Sequence, residues 1–160
     1  MDSKKLVDIL KLEPHPEGGY YKETYRCEQI ITLKGGNERN VSTAIYYLLE
    51  NKNKSSFHRI QSDELWFFHQ GEPLEIVFIK DDKLHTVILG NSLENGEVPQ
   101  AKIEANTWFG AKISSGKGYS LVSCTVAPGF DFLDFELAEK NILLKQYPDL
   151  KVVIEEFTNE

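Results

Sequence analysis

At 160 residues with a net charge of -7, the chain is long enough to enclose one core and has the wrong sign for a nucleic-acid or anionic-membrane surface. Hydrophobic residues (41%) and charged residues (27%) are in the proportion of an ordinary globular protein, and no apolar run approaches the ~20 residues of a membrane span. One domain over residues 1–160 is expected. The opening MDSKKLVDIL lacks the long apolar region and small-residue cleavage site of a secretory signal. With Cys27 and Cys124 far apart, the expectation is a cytoplasmic protein with reduced thiols, Cys124 being a buried, inert one.

In chain order, Ser3 is placed to cap a short helix over KKLVDILK, where Leu6, Ile9 and Leu10 recur at helical spacing and Pro14 ends the run. The loop LEPHPEGG follows, with two prolines and two glycines that cannot all lie in regular structure. From YYKETYR the sequence turns β-like. VSTAIYYLLE, SSFHRIQ, ELWFFHQ, PLEIVFIK, KLHTVILG, QAKIEA and GYSLVSCTVAP are short runs rich in β-branched and aromatic residues. KGGN, NKNK, HQGEP, KDDK, GNSLENGE and SSGKG supply turns between them. Eight or more short strands predict an all-β sandwich or barrel. ELAEKNILLKQYP then predicts one helix on the sheet edge, ending at Pro148.

The stretch Ser55–Gly71, SSFHRIQSDELWFFHQG, concentrates the chemistry. Alternate strand side chains share a face, so His58 and Ile60 point one way and Phe57 and Arg59 the other. Glu64, Trp66 and Phe68 share a face on the next strand, opposite Leu65, Phe67 and His69. If the two inward sets meet, His58 and Glu64 converge beside Trp66. A histidine and a carboxylate in an aromatic pocket form either an acid/base pair or a buried structural hydrogen bond. His69 faces away unless a bulge before Gly71 turns it. His85 is expected on an exposed hairpin, and His15 and Glu17 near a cavity rim. Tyr47, on the strand face of Ile45 and Leu49, is the candidate acid. Tyr21 and Arg26, from YYKETYR, are candidate ligand contacts, Arg26 for a carboxylate or phosphate or else in a structural ion pair. PGFDFLDFEL, with Phe130, Phe132 and Phe135, is expected to serve dimer or core packing.

The same stretch resembles the first motif of the cupin superfamily, G-x5-H-x-H-x(3,4)-E-x6-G. His58 takes the first histidine position, Ile60 the second, Glu64 the glutamate and Gly71 the closing glycine. EANTWFGAKI resembles the second motif, with Glu104 for its proline, Asn106 for its glycine and Phe109 for its histidine. HPEGGYYKETYR, TWFGA and VAPGFDFLDFEL extend the likeness over nearly the whole chain to a branch of small single-domain cupins. The resemblance implies a double-stranded β-helix (jelly roll) with short helices near both termini, a homodimer, and a barrel pocket for a small polar metabolite such as a sugar or sugar nucleotide. The fold is similar to that of the metal-free dTDP-4-dehydrorhamnose 3,5-epimerases, so a metal-independent epimerase or isomerase is the first expectation. His58, Glu64 and Tyr47 would be its catalytic groups, and Trp66, Trp108, His69, Tyr21 and Arg26 its ligand contacts. A non-catalytic binding protein is the alternative. So is a divalent-metal enzyme using His58, Glu64 and His69, although only two of the usual four cupin ligands are present. No metal or cofactor is expected on the first reading.

Overall fold

The computed structural model describes residues 1–159. After helix α1 (Ser3–Leu10) come β1 (Glu13–Pro14), β2 (Tyr20–Arg26), a hairpin of β3 (Ile30–Thr32) and β4 (Glu38–Asn40), then β5 (Thr43–Glu50) and β6 (Lys54–Arg59). They are followed by β7 (Asp63–Gly71), β8 (Leu74–Lys80), β9 (Lys83–Leu89), β10 (Gln100–Ile103), β11 (Phe109–Ile113), β12 (Tyr119–Ala127) and β13 (Glu136–Leu137). Helices α2 (Lys140–Gln146) and α3 (Lys151–Phe157) complete the chain.

Two antiparallel sheets form a jelly roll. One has the order β1-β2-β5-β12-β7-β10 and the other β13-β6-β11-β8-β9. Strand alternation divides the side chains as the sequence predicts. Tyr47, Leu49, Trp66, Ile76, Phe109 and Val122 point between the sheets and form the central core. The outward residues of the second sheet, Phe57, Val77 and Ile79, are covered by Leu143 of α2 and by Ile154 and Phe157 of α3. On the first sheet, α1 lays Leu6 against Leu48 and Leu121. Each outer helix thus buries an apolar face that its sheet would otherwise leave in water.

Several local expectations change. The α1 cap is Asp2, whose carboxylate accepts the Lys5 N–H at 2.9 Å, while the Ser3 hydroxyl reaches across to Glu50. The expected single C-terminal helix is two. Tyr147 and Pro148 break it, and KVVIEEF, which reads as β-prone, is helical because Ile154 and Phe157 dock on the sheet. The run FGAKI is a full strand, β11, at the middle of its sheet. From Lys22 to Arg26, β2 pairs only with β5 among the described residues, so its other side is a sheet edge.

Candidate functional site

The site begins in the loop His15–Gly19. His15 N–H bonds the Gly19 carbonyl at 2.9 Å and Gly18 N–H bonds the His15 carbonyl at 3.0 Å, which closes a tight turn. Gly18 has φ 108°, and a Cβ there would lie 2.0 Å from the Lys54 carbonyl oxygen. Only glycine permits both the conformation and the contact. The turn therefore docks flat on the start of β6, where Ser56 N–H donates to the Glu17 carbonyl at 2.8 Å. Tyr47 fastens it from below, its hydroxyl donating to the Gly18 carbonyl at 2.5 Å.

This docking puts the Glu17 carboxylate inside the barrel, 6% exposed and 2.6 Å from His58 Nε2. The Ser55 hydroxyl donates to the same oxygen at 3.0 Å. The other nitrogen of His58, Nδ1, lies 2.7 Å from the Ser56 carbonyl oxygen, which can only accept. Burial opposes charge on both partners, yet the Glu17 pKa is lowered and the His58 pKa raised, because each holds the other charged. His58 is an imidazolium with both N–H groups committed, and neither nitrogen is free to take a substrate proton. His15 differs. Its Nδ1 accepts the Glu17 N–H at 3.1 Å, and burial lowers its pKa despite the carboxylate 3.5 Å away, so it is neutral.

A cavity of about 520 Å³ opens beside this pair. The polar end is made by His58, Glu17, His15 and Glu64, and the sides by Ile45, Ile60, Val126 and Cys124. Phe130, Phe132 and Phe135 line it too, along the segment after β12. Glu64 is 8% exposed, and its pKa is raised to about 7, first by burial and then by the repelling Glu17 carboxylate, with His58 offsetting part. Burial and the same two carboxylates push the Cys124 thiol well up, so it stays a thiol.

Of the residues singled out from the sequence, His58, Glu64, Tyr21 and Arg26 line the cavity. Tyr47 and Trp66 point inward but belong to the packed core behind it, with ring centroids 5.8 Å apart. Trp108 immediately precedes Phe109, the inward residue that starts β11. It therefore faces outward into the α2/α3 cluster, with the Arg59 guanidinium 4.3 Å from its ring. His69 stays on the outer face, bonded to the Ser123 hydroxyl at 2.7 Å, although the β7–β12 register does shift beside it. The Arg26 guanidinium is occupied, with Glu23, Asn40 Oδ1 and the Phe130 carbonyl as its acceptors. His85 stacks on Phe78 at an exposed hairpin. Glu17 takes the place beside His58 that strand alternation gives to Glu64. The signal for it was the glutamate held against a Gly-Gly turn in HPEGG.

A jelly roll with its chemistry turned into the barrel defines a protein of the cupin kind. The chain belongs to that superfamily, matching the family described as Cupin superfamily (DUF985) over residues 4–138. It is 35% identical to a hypothetical protein from Leishmania major, with a TM-score of 0.95 and 100% of each chain covered. Protein SO0799 from Shewanella oneidensis is 38% identical, with a TM-score of 0.92 and coverage of 99% of this chain and 98% of that one. A curated relative, the uncharacterized protein YML079W of Saccharomyces cerevisiae, is 29% identical over 145 residues, which are 82% of this chain and 72% of the relative.

The metal commonly held by cupins is a poor fit to the donors present. Phe109, in the second-motif histidine position, pairs across the sheet with His58, and their rings lie 4.2 Å apart. Ile60 fills the other histidine position. Both His58 nitrogens are bonded elsewhere, and His69 is on the far side of the sheet. Among the described residues no group of three or more His, Cys, Asp or Glu side chains is arranged to hold an ion.

Proposed function

We propose that the chain binds a small organic metabolite in the barrel cavity and catalyses a metal-independent proton transfer on it, as an isomerase or epimerase does, with Glu64 as the group that exchanges the proton. The supporting observation is the buried Glu64 carboxyl, poised at about 7 on the wall of an open cavity. A group with a pKa near the working pH is both a competent acid and a competent base. The His58–Glu17 pair is closed on itself, and its carboxylate, by repelling Glu64, helps to keep the Glu64 carboxyl near neutrality. The closed hydrogen bonding of His58 also suits the second reading, a binding protein without chemistry. The homodimer belongs to the proposal as well, supported by the free edge of β2 and by the exposed Ile30 and Ile31 next to it in sequence. Light scattering at micromolar concentration tests that part.

The catalytic part is tested in D2O with a panel of hydroxyketones, reducing sugars and amino sugars, following C–H to C–D exchange by NMR. Exchange by the wild type that Glu64→Gln abolishes supports the reading. Exchange undiminished in Glu64→Gln removes Glu64 from the reaction, and no exchange on any compound leaves the binding reading.

A further inference from the structure

We propose that the ligand of this cavity is an organic cation, an alkylammonium compound with an apolar or aromatic body, and that phosphorylated and carboxylated metabolites are excluded. The inference rests on the cavity being a ligand site and names the class of ligand. Five acids line it: Glu13, Glu17, Glu23, Glu64 and Asp131. Every cationic group on the same wall is already committed. Arg26 is held by Glu23, Asn40 and the Phe130 carbonyl, and His58 is held by Glu17 and the Ser56 carbonyl. Neutral His15 adds no charge. A phosphate or carboxylate brought inside would lose its water and meet no free cation, next to buried carboxylates.

Glu64 gives the opposite preference. It is more than nine-tenths buried, its only close donors are the neutral Trp66 indole and Cys124 thiol, and it forms no salt bridge among the described residues. An ammonium group is the partner that its ionised form lacks. The rest of the lining suits the body of such a ligand. Phe130, Phe132 and Phe135 form a cluster with centroids 4.9 to 6.3 Å apart, and Tyr21 packs beside His15 at 4.5 Å. Aromatic faces attract cations through their quadrupoles, and a cluster of rings backed by carboxylates is selective for them. The net field of the cavity also draws cations from solution.

The test uses three probes of one shape: tryptamine (cation), tryptophol (neutral) and indole-3-acetate (anion), titrated calorimetrically against the full chain at about pH 8, where Glu64 is mostly ionised. Tryptamine is expected to bind saturably and at least about tenfold more tightly than tryptophol, with indole-3-acetate weakest. Glu64→Gln is expected to erase most of the difference between amine and alcohol. Should that variant not fold, the three probes on the native chain decide. Indole-3-acetate binding as well as tryptamine, or amine and alcohol binding equally, overturns the charge selection and leaves the cavity as a ligand site. No saturable binding of any probe up to about 10 mM overturns the inference together with the small-molecule reading.

Discussion

Replacing Glu64 by glutamine should make the protein more stable at neutral pH than at acid pH relative to the wild type. In the unfolded chain this carboxyl titrates at its ordinary 4.5, and in the folded barrel at about 7. The folded state therefore binds the proton more tightly, so stability falls as pH rises through that window. Below ~4.5 both states are protonated and the group contributes nothing. Above ~7 both are ionised and the fold carries the whole cost. At ~1.4 kcal/mol per pKa unit, that cost is about 3 kcal/mol. Glutamine has the same shape and cannot ionise. Any effect of losing the carboxylic O–H is a constant offset with pH. The variant-minus-wild-type stability, from urea titrations at fixed protein concentration, should rise by about 3 kcal/mol between pH ~4.5 and ~8.5. In melting temperature this is roughly 6–12 °C for a chain of this size. A difference that stays flat across the range would show that Glu64 is not held near neutrality, and the proton-transfer reading would lose its base.

Glu17→Gln breaks a buried pair from one side and strands an imidazolium. A loss of about 3–5 kcal/mol is expected in urea titration, with the His58 pKa falling in an NMR titration. Gly18→Ala forces a Cβ to 2.0 Å from the Lys54 carbonyl at φ 108°, so the turn must lift and the unfolding free energy from urea titration should fall by more than about 2 kcal/mol. Trp108→Ala removes an anchor of the outer cluster. It should cost about 3–5 kcal/mol by the same titration while the calorimetric affinity for tryptamine stays within about twofold.

Strand alternation was enough to bring His58, Ile60 and Glu64 to one space and to send Phe57 and His69 away from it, because period-two patterning depends only on neighbours in sequence. The partner of His58 was not legible in the same way. Glu17 meets it only because a left-handed glycine lets one loop lie on the carbonyl of a distant strand, a contact with no local signature beyond Gly-Gly itself. The inward position taken by Phe109 fixes its neighbour Trp108 outward, against the pocket role that the cupin resemblance implies for it. Helix α3 has no helical signature in sequence, since its Val152, Val153 and Ile154 favour strands in isolation, and what decides is tertiary burial of Ile154 and Phe157. The alternation in PGFDFLDFEL predicts dimer or core packing, and Phe130 and Phe135 do pack, but against one another along the cavity.

Tyr47 separates positioning from chemistry. It is 1% exposed, and its hydroxyl donates to the Gly18 carbonyl. Burial, with the Glu17 charge nearby, pushes the phenol well above its ordinary value, so it remains neutral and holds its proton. It is not among the residues that line the cavity. Its task is to tie β5 to the turn that delivers Glu17. Tyr47→Phe leaves that carbonyl without this donor, and the expected loss is about 1–3 kcal/mol in urea titration. The turn keeps its other fasteners, the Ser56 N–H on Glu17 and the Gly18 N–H on His15, so the carboxylate should stay beside His58. An NMR titration of the His58 ring in Tyr47→Phe should therefore match the wild type, and any proton exchange should persist once the variant is shown to be folded. A variant of unchanged stability that has lost exchange would show instead that the phenol reaches the substrate, and Tyr47 would return as the acid.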